Sequence, residues 1–416
     1  MNNSVEGRPI DSSALIHLAV HSPYHSNVFR LEAHLRSVVD PTRLQRAADA
    51  LAGRYPMLAA GIRQQKSTCQ VVPVADGVPV RVDLQPLAYM SAEEIRQQAM
   101  RVLYGPHHIA VEFFHALTDG TGGLRFLKAL LAEYLGAAPE PVDLRRAWED
   151  SFRAWAGGKC AAIPGGTSWL LPPAAQEARG VSRTTLLFSV EELRAKVQHI
   201  TLTEFFTALL ARAAMKLQQK TVTPDRPLLP VRMMVPVDLR RHFSSGSLRN
   251  FSLYALPVLY PDAAAAPFQE VAENMAAQLR AQTSPTSLRG RVAATAALAH
   301  KTALLPLWMK FAALRAGFEV CGGRSSCLTV SNLGRVTFPE AVAQELTRLD
   351  FLLTPRSHSP YNCGIVSVGD TLSLTITRRG PEAGFETLLE AQLSAQGIHP
   401  VRKITMCPAD NPLTVP

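Results

Sequence analysis

Two kinds of apolar pattern alternate along the chain, and this alternation restricts the fold more than any other feature. Residues 27–36 alternate apolar and polar side chains, as a strand does. Residues 41–53 instead carry apolar side chains at helical spacing behind Asp40, a residue type that caps helices well. Strand and helix patterns continue to alternate to residue 393, with hairpin patterns among them. The sequence therefore predicts an α/β protein with mixed sheets.

The remaining patterns divide into strands and helices. Further strands are predicted at residues 71–82, 108–114, 184–189, 233–237, 251–260, 327–330 and 362–377, with hairpin turns at Asp76-Gly77 and Gly369-Asp370. Further helices are predicted at residues 123–135, 268–281, 289–318 with a break at Pro306, and 385–393. Two more helices have capping boxes at their starts, Ser189 with Glu192 and Thr201 with Glu204, the second helix running to about Leu217.

Length and composition favour two domains with substantial cores. The chain has 416 residues, 47% of them hydrophobic. Chains beyond about 250–300 residues usually split into several domains. Residues 136–180 lack a regular pattern and are rich in Pro and Gly, which indicates an irregular crossover. We therefore predict an N-terminal domain over residues 1–178 and a C-terminal domain over residues 179–416.

The net charge of +9 favours anionic partners. Such partners include nucleic acid, anionic lipid, phosphorylated cofactors and acidic carrier proteins. The basic residues are scattered, and their longest runs are pairs such as Arg145-Arg146 and Arg378-Arg379. Because no basic stripe is interleaved with aromatic residues, we expect no nucleic-acid partner.

The cysteines and the apolar runs indicate a cellular compartment. The 6 cysteines are dispersed, and the closest pair, Cys321 and Cys327, lacks histidines at zinc-site spacing. We therefore predict no metal site. The N-terminal residues lack the apolar core of a secretion signal, and no run approaches the about 18 apolar residues of a membrane span. These features predict a cytoplasmic protein with free thiols and no membrane span.

One segment combines residue types that can move a proton. The strand pattern of residues 108–114 delivers His115 into a polar loop, Asp119 follows, and Gly120 comes next. Imidazole is the side chain whose ordinary pKa, about 6.5, suits proton transfer near neutral pH. Asp119 either contacts His115 directly or anchors the loop. The same pattern also arises by chance, in which case His115 is an ordinary structural residue at the end of a strand.

A resemblance to a known superfamily decides between these alternatives. The stretch EFFHALTDGTGGLRFLKALLAEYL, residues 112–135, is similar to the HHxxxDG region of the chloramphenicol-acetyltransferase-like superfamily. That superfamily includes condensation domains, polyketide-associated acyltransferases and alcohol acetyltransferases. The second histidine, the aspartate and the glycine fall on His115, Asp119 and Gly120, while Phe114 replaces the first histidine. The pair His107-His108 has no aspartate and glycine at the required distance.

Three further stretches carry the same resemblance, in order and at plausible distances. Residues 39–63 resemble the N-terminal strand–helix–HPxL segment, with Tyr55 in place of the histidine. Residues 235–254 resemble the region ending in GNF, with Arg249 in place of the glycine before Asn250. Residues 329–336, TVSNLGRV, resemble the SN-G strand end. The resemblance thus covers most of the chain.

The resemblance implies both a fold and a mechanism. The fold would be two α/β sandwich subdomains forming a V around a central tunnel, with a thioester donor and a small-molecule acceptor entering from opposite sides. His115 would be the general base, supported by Asp119 and Gly120, and Arg240 would pair with Asp119. Ser331, Asn332 and Asn250 are the candidates for oxyanion binding or tunnel lining, together with the backbone N–H of Gly120.

Three functions fit this pattern. The favoured one is acyl transfer from acyl-CoA to an alcohol or amine. The second uses an acyl-phosphopantetheine on a separate acyl carrier protein. The third is a catalytically inactive condensation-fold binding protein, which the loss of the first motif histidine at Phe114 could indicate. In each case the thioester is a substrate, and we expect no permanently bound cofactor. The sequence contains no GxSxG, P-loop, HExxH or GxGxxG signature that competes.

Overall fold

The computed structural model describes residues 7–23, 25–75, 77–161, 165–172, 180–356, 359–380 and 384–407. The strands are β1 Arg8–Pro9, β2 Val28–Leu35, β3 Ala60–Gln64, β4 Cys69–Pro73, β5 Val80–Val82, β6 Met100–Gly105, β7 His108–Phe114, β8 Val181–Ser189, β9 Val231–Asp238, β10 Ser252–Ala255, β11 Val258–Leu259, β12 Leu328–Val336, β13 Leu346–Leu353, β14 Tyr361–Val368, β15 Thr371–Arg379 and β16 Arg402–Met406. The α-helices are α1 Leu15–Ala19, α2 Pro41–Ala52, α3 Ala92–Gln97, α4 Gly120–Leu135, α5 Leu144–Ala147, α6 Ser151–Ala154, α7 Val190–Lys196, α8 Leu202–Thr221, α9 Phe268–Gln282, α10 Pro285–Lys301, α11 Leu307–Gly317, α12 Glu340–Glu345 and α13 Gly384–Ala395. None of these helices is long and apolar enough to span a bilayer.

A five-stranded sheet carries the N-terminal core, in the order β13-β2-β7-β6-β5. Its pairs are antiparallel except for β5 with β6. Successive side chains of a strand point to opposite faces. Phe29 and Leu31 of β2 and Phe113 of β7 accordingly belong to one apolar core together with Leu127 of α4. Helix α4 therefore packs on this sheet, with α2 beside it.

The alternate residues of β2 are polar, yet they are also buried. The Nε of Arg30 donates to Glu32 at 2.8 Å, and both side chains are inaccessible to solvent. Arg183 of β8 donates to the two carboxylate oxygens of Glu32 at 2.9 Å each. Burial alone would raise the pKa of Glu32, but Arg183 and Arg30 outweigh it and hold that pKa well below its ordinary value. A buried, ionised carboxylate thus joins β2 to a strand of the second half of the chain.

The largest sheet has eight strands and belongs to the second half of the chain. Its order is β10-β9-β12-β14-β15-β8-β16, with β11 also pairing with β9. Strand β12 is parallel to both of its neighbours, and the other pairs are antiparallel. Helix α8 packs on this sheet between α9 and α13. A third sheet of three short strands, β1-β4-β3, completes the N-terminal half.

Strand pairing crosses the predicted domain boundary at residue 178. Strand β13 comes from residues 346–353, but it pairs with β2 along seven registered positions from Leu346↔Leu35 to Leu353↔Phe29. The division into residues 1–178 and 179–416 stays a prediction. A cut there would separate β13 from β2 and Arg183 from Glu32.

Several local predictions are confirmed, along with the α/β class with mixed sheets. Asp40 accepts bonds from the N–H groups of Thr42 and Arg43, and Pro41 occupies the first turn of α2. The capping box of Thr201 and Glu204 is complete at the start of α8. Strands β14 and β15 form the expected hairpin. These features depend on neighbouring residues alone, which is why sequence spacing finds them.

The predicted pairing within residues 71–82 is wrong. Strand β4 pairs with β1 and β3, whereas β5 joins the five-stranded sheet parallel to β6. Alternation identifies a strand but not its partner, because partners are chosen by packing over the whole chain. Of the predicted turn at Asp76-Gly77, Asp76 lies outside the described residues.

Several predicted boundaries also differ. The strand of residues 251–260 is two short strands on either side of Pro257, which has no N–H to donate. The strand of residues 327–330 continues to Val336 through an irregularity between Asn332 and Arg335. Helix α4 starts at Gly120 because Asp119 caps it. The crossover region 136–180 contains the single-turn helices α5 and α6, and residues 162–164 and 173–179 lie outside the described ranges.

Replacing Glu32 with Gln tests the buried ion pairs between the halves. The substitution keeps the side-chain volume but leaves the buried Arg30 and Arg183 short of a negative charge, so we expect the free energy of unfolding to fall by about 3–5 kcal/mol. Denaturant titration measures it. The control is Glu93→Gln, which breaks an exposed pair with Arg96 and should leave the unfolding midpoint where it is. Equal midpoints for wild type and Glu32→Gln would contradict a structural role for this cluster.

Candidate active site

His115 stands at the end of β7, where the sheet gives way to a turn. Its N–H donates to the carbonyl of Asn27 at 2.7 Å, which extends the β2–β7 ladder by one more bond. The residue as a whole is partly accessible, and Phe29 packs edge-on against its ring with ring centroids 5.4 Å apart. The preceding residue, Phe114, is fully buried. The strand thus holds the imidazole at the edge of the core without enclosing it.

Asp119 anchors the turn that follows and does not hydrogen-bond to His115. Its carboxylate caps α4 by accepting from the N–H of Gly122 at 3.2 Å. The other oxygen accepts from the N–H of Phe251 at 2.8 Å and from Nη1 of Arg240 at 2.9 Å. Of the two roles open to Asp119 from the sequence, the geometry fits the loop anchor.

Position 122 of this turn requires glycine because neighbouring parts of the chain approach it closely. A Cβ on Gly122 would lie 2.1 Å from the Thr118 hydroxyl and 2.3 Å from the Leu248 carbonyl. The same hydroxyl donates to the Leu248 carbonyl at 2.6 Å. The start of α4 is therefore pressed directly against the segment that precedes Asn250.

Arg240 ties that segment together from within. Its Nε donates to the carbonyl of Ser247 at 2.8 Å and its Nη2 to that of Arg249 at 2.5 Å. Its Nη1 also contacts Asp238 at 2.9 Å, in addition to Asp119. Burial alone would lower the pKa of Arg240, but the two carboxylates outweigh it and raise that pKa. The guanidinium thus stays charged and holds residues 238–250 against the His115 turn.

Asn250 makes the polar contact to the His115 ring. Its Oδ1 lies 3.1 Å from Nδ1 of His115, and its Nδ2 donates to the carboxylate of Asp11 at 3.2 Å. Asp11 is buried and also accepts two bonds from Ser13, so it acts as an acceptor toward Asn250. Because the amide N–H group is engaged by Asp11, its oxygen faces the ring. His115 then carries its proton on Nδ1, and within the described part of the chain no hydrogen bond to Nε2 is found.

This contact bears on the role predicted for Asn250, which stays a prediction. The sequence suggested an oxyanion donor or tunnel residue, but both ends of the carboxamide are committed to Asp11 and His115. Asp11 itself was missed, because no motif links it to a histidine 104 positions later in the chain. Arg249 stands where the resemblance has a glycine. Its side chain is buried, and its Nη2 donates to the Pro9 carbonyl at 2.7 Å.

A second imidazole lies flat on the first. The rings of His17 and His115 stack with centroids 4.4 Å apart and planes inclined by 12°. His17 belongs to α1, whose five residues give too short a pattern to predict. Burial, then the proximity of His115 and Arg356, lowers the pKa of His17 well below its ordinary value. The two rings therefore stack as neutral groups near pH 7.

Arg356 supplies positive charge at the same end of the sheet. Thr354 lies two residues before it, and the N–H and hydroxyl of Thr354 both donate to the carbonyl of Val28. Val28 pairs with Phe114, the residue before His115. No side-chain hydrogen bond or ion pair of Arg356 is found among the described residues. Burial lowers its pKa to about 10, so it remains charged at neutral pH. Burial also lowers the pKa of His115, with Arg356 acting in the same direction and Asp119 and Asn250 opposing.

The remaining predicted residues lie on β12. Asn332 donates from Nδ2 to the hydroxyl of Thr203 at 2.9 Å and accepts from the N–H of Gly334 at 2.7 Å. Gly334 has a φ of +79°, the left-handed region that favours glycine. Ser331 pairs with Gly364 of β14 and is half-buried. A Cβ on Gly120 would lie 2.9 Å from the Leu333 side chain, so this part of β12 borders the start of α4.

The pair His107-His108 lies at the other end of β7. His108 contacts Asp83 at 2.7 Å as part of the buried ion cluster, and His107 is exposed. Neither residue belongs to the candidate site.

Solved structures resemble this protein over almost its full length. TRI101 of F. graminearum, complexed with coenzyme A and deoxynivalenol, gives a TM-score of 0.60 at 11% identity over 94% of this chain and 97% of its own. Polyketide synthase associated protein 5 from Mycobacterium tuberculosis gives 0.58 at 17% over 94% and 98%. The epimerization domain of the third module of tyrocidine synthetase B gives 0.57 at 11% over 95% and 98%. No family model and no curated protein matches the sequence.

The chain therefore has the chloramphenicol-acetyltransferase-like fold that the sequence predicted. At these identities the likeness is one of fold, so the chemistry of the site must be argued from its own residues.

Replacing Asp119 with Asn tests the anchor. Asn can still cap α4, but Arg240 loses a charged partner, so we expect the free energy of unfolding to fall by about 1–3 kcal/mol. Thermal and denaturant unfolding measure it. The control is Asp40→Asn at the exposed cap of α2, where an amide caps equally well and stability should not change. An Asp119→Asn protein that unfolds like wild type would refute the anchoring role.

Proposed function

We propose that this protein is an acyltransferase that moves an acyl group from a thioester to an alcohol or amine, with His115 as the general base. The single observation that carries the proposal is the state of that imidazole. It is partly accessible at the end of β7, Asn250 engages its Nδ1, and burial lowers its pKa below the ordinary value. A histidine with these properties is neutral at pH 7 and presents a free Nε2 to an incoming acceptor.

The proposed reaction needs one base and no acyl-enzyme. Nε2 of His115 takes the proton of the acceptor hydroxyl or amine while the acceptor oxygen or nitrogen bonds to the thioester carbonyl carbon. The carbon–sulfur bond then breaks, and the departing thiolate takes the proton back from Nε2. Holding both substrates at one imidazole supplies most of the rate gain, and base catalysis adds a factor of about 10²–10⁴.

The negative charge on the tetrahedral oxygen needs donors. Asn332 already donates to Thr203, so we assign it to holding β12. The N–H of Gly120 lies in the first turn of α4, where N–H groups have no intrahelical partner. We assign the oxyanion to this N–H and to the charged side chain of Arg356, with the Ser331 hydroxyl as the further candidate.

The favoured donor is acyl-CoA. TRI101, which shares the fold, is described as complexed with coenzyme A, and the net charge of +9 suits a phosphorylated donor. We place the donor and the acceptor in channels that meet at His115, as the resemblance implies. The inactive alternative loses support because Phe114, which replaces the first motif histidine, is a buried residue of the N-terminal core, while His115 and Asp119 are retained.

An assay of thiol release tests the proposal. The donors are acetyl-CoA and longer acyl-CoA thioesters, and a panel of alcohols and amines supplies the acceptors. We expect His115→Ala to lower kcat/KM at least about 100-fold, because the general base is removed. The control is His107→Ala, which alters an exposed histidine at the other end of β7 and should retain full activity.

The outcomes separate the alternatives. Equal activity of wild type and His115→Ala would remove His115 from the mechanism. Turnover of an acylated carrier protein without turnover of any acyl-CoA would select the carrier-dependent reaction. No turnover of either donor class by the wild type would favour a binding protein.

The pH dependence of kcat/KM tests the role of His17. Burial is the largest cause of the lowered pKa of His115, so His17→Ala, which uncovers one ring face, should raise that pKa toward about 6.5. Because only neutral imidazole accepts a proton, the acidic limb of the rate profile moves to higher pH. His17→Phe keeps a stacked ring and should keep the wild-type limb. The same limb in all three proteins would show that His17 does not position or desolvate His115.

A further inference from the structure

An apolar surface patch lies at the junction of α10 and α11. Leu304 is 96% exposed and Trp308 is 71% exposed, and Leu298 and Met309, close to them along the chain, are 55% and 39% exposed. We call these four residues the α10–α11 patch. Single exposed apolar residues are common, but a group of large ones on adjoining turns marks an interaction site.

Helix α11 is fixed to the protein through one side, which leaves Trp308 and Met309 on its outward side. Its buried residues are Leu307 and Lys310. The Nζ of Lys310 donates to the carbonyls of Ser67 and Ala303 at 2.6 and 2.8 Å, and the N–H of Leu307 donates to the carbonyl of Lys66 at 3.1 Å. The lysine is therefore held inward, while Trp308 and Met309 face solvent. Half-buried Phe311 packs against the N-terminal core, so α11 is apolar on its outward side as well as on its inward side, whereas an ordinary surface helix is polar on its outward side.

The sequence around the patch is basic and contains no acid. Residues 274–318 include no Asp or Glu, but they include six basic residues. The basic residues are Arg280, Arg289, Arg291, Lys301, Lys310 and Arg315. Lys301 and Arg315 are exposed on either side of the patch, and Lys66 is exposed beside the start of α11. Of the six, Arg280 pairs with Glu204, and Arg291 and Lys310 are buried. The positive charge near the patch therefore comes from Lys301, Arg315 and Lys66, with one exposed acid, Glu319, just after the stretch.

We propose that the α10–α11 patch docks this protein onto the surface of an anionic lipid bilayer. Tryptophan, leucine and methionine side chains enter the boundary between head groups and acyl chains, with tryptophan especially favoured there. Lysine and arginine at the rim pair with anionic head groups, and each adds to the attraction. The helix lies on the bilayer and does not cross it. A second copy of the chain would bring its own basic residues against these charges, which disfavours self-association through the patch.

Docking would bring the membrane close to the candidate active site. Helix α11 packs against α1, and Nε of Arg315 donates to the carbonyl of Ala19 in α1. Helix α1 also carries His17, which stacks on His115. An acceptor or acyl donor that resides in the bilayer would therefore reach the site from the α1 side. The docking itself does not depend on the proposed function, since it can be measured without any turnover.

Vesicle sedimentation tests the proposal with the full chain. Wild type should bind vesicles that contain phosphatidylglycerol and phosphatidylcholine, and it should bind pure phosphatidylcholine at least about tenfold more weakly. The double substitution Leu304→Ser with Trp308→Ser should weaken binding to the anionic vesicles by about tenfold or more, because the inserted apolar area is lost. The matched control is Val401→Ser, which alters a residue 72% exposed elsewhere on the surface and should bind like wild type.

Folding and self-association are checked on the same proteins. Both variants change solvent-exposed side chains, so circular dichroism and unfolding midpoints should match wild type. Binding that is equal for wild type and the double variant would overturn the proposal. A wild-type dimer that the double substitution dissociates, seen by analytical ultracentrifugation with no vesicle binding, would also overturn it and would assign the patch to a second copy of the chain.

Discussion

The ion pair between Asp119 and Arg240 is the contact on which the site depends. Asp119 caps the helix that follows the His115 turn, and Arg240 lies in the segment that ends at Asn250. The pair joins two parts of the chain that are 121 residues apart. Because both groups are largely buried, the charges hold each other in place, and breaking one side leaves the other without compensation. The orientation of Asn250 toward the imidazole follows from this attachment.

The surroundings of His115 keep the ring neutral and fix which nitrogen is free. Burial and the nearby Arg356 favour the uncharged imidazole, while Asn250 holds the proton on Nδ1. The stacked ring of His17 covers one face, and Phe29 meets the ring edge-on. A base for proton transfer needs this combination of a suitable pKa, one free lone pair and a restricted rotation. In the proposed reaction, the anchor at Asp119 acts through position and not through direct contact with the ring.

The sequence predicts what depends on neighbours along the chain or on a short motif. The mixed α/β class, the caps at Asp40 and Thr201, and the loop carrying His115 all have local patterns. Other features depend on packing between distant segments, which spacing does not encode. They are the partners of β5, the continuation of β12 and the pairing of β13, which comes from the second half of the chain, with β2. Asp11, His17 and Arg356 could not be selected because each lies in a short or irregular segment. They reach the site only when four regions of the chain, around residues 11–17, 115–119, 240–250 and 356, fold together.

The protonation state of His115 is the central claim, and nitrogen NMR of the ¹⁵N-histidine-labelled protein tests it most directly. The His115 signals are assigned by their loss in a His115→Gln protein. The account predicts a neutral ring at pH 7 with the proton on Nδ1, an unprotonated Nε2, and a titration midpoint below the ordinary value of about 6.5. A proton on Nε2, or a ring still charged at pH 7, would contradict it, because no free lone pair would then face the acceptor.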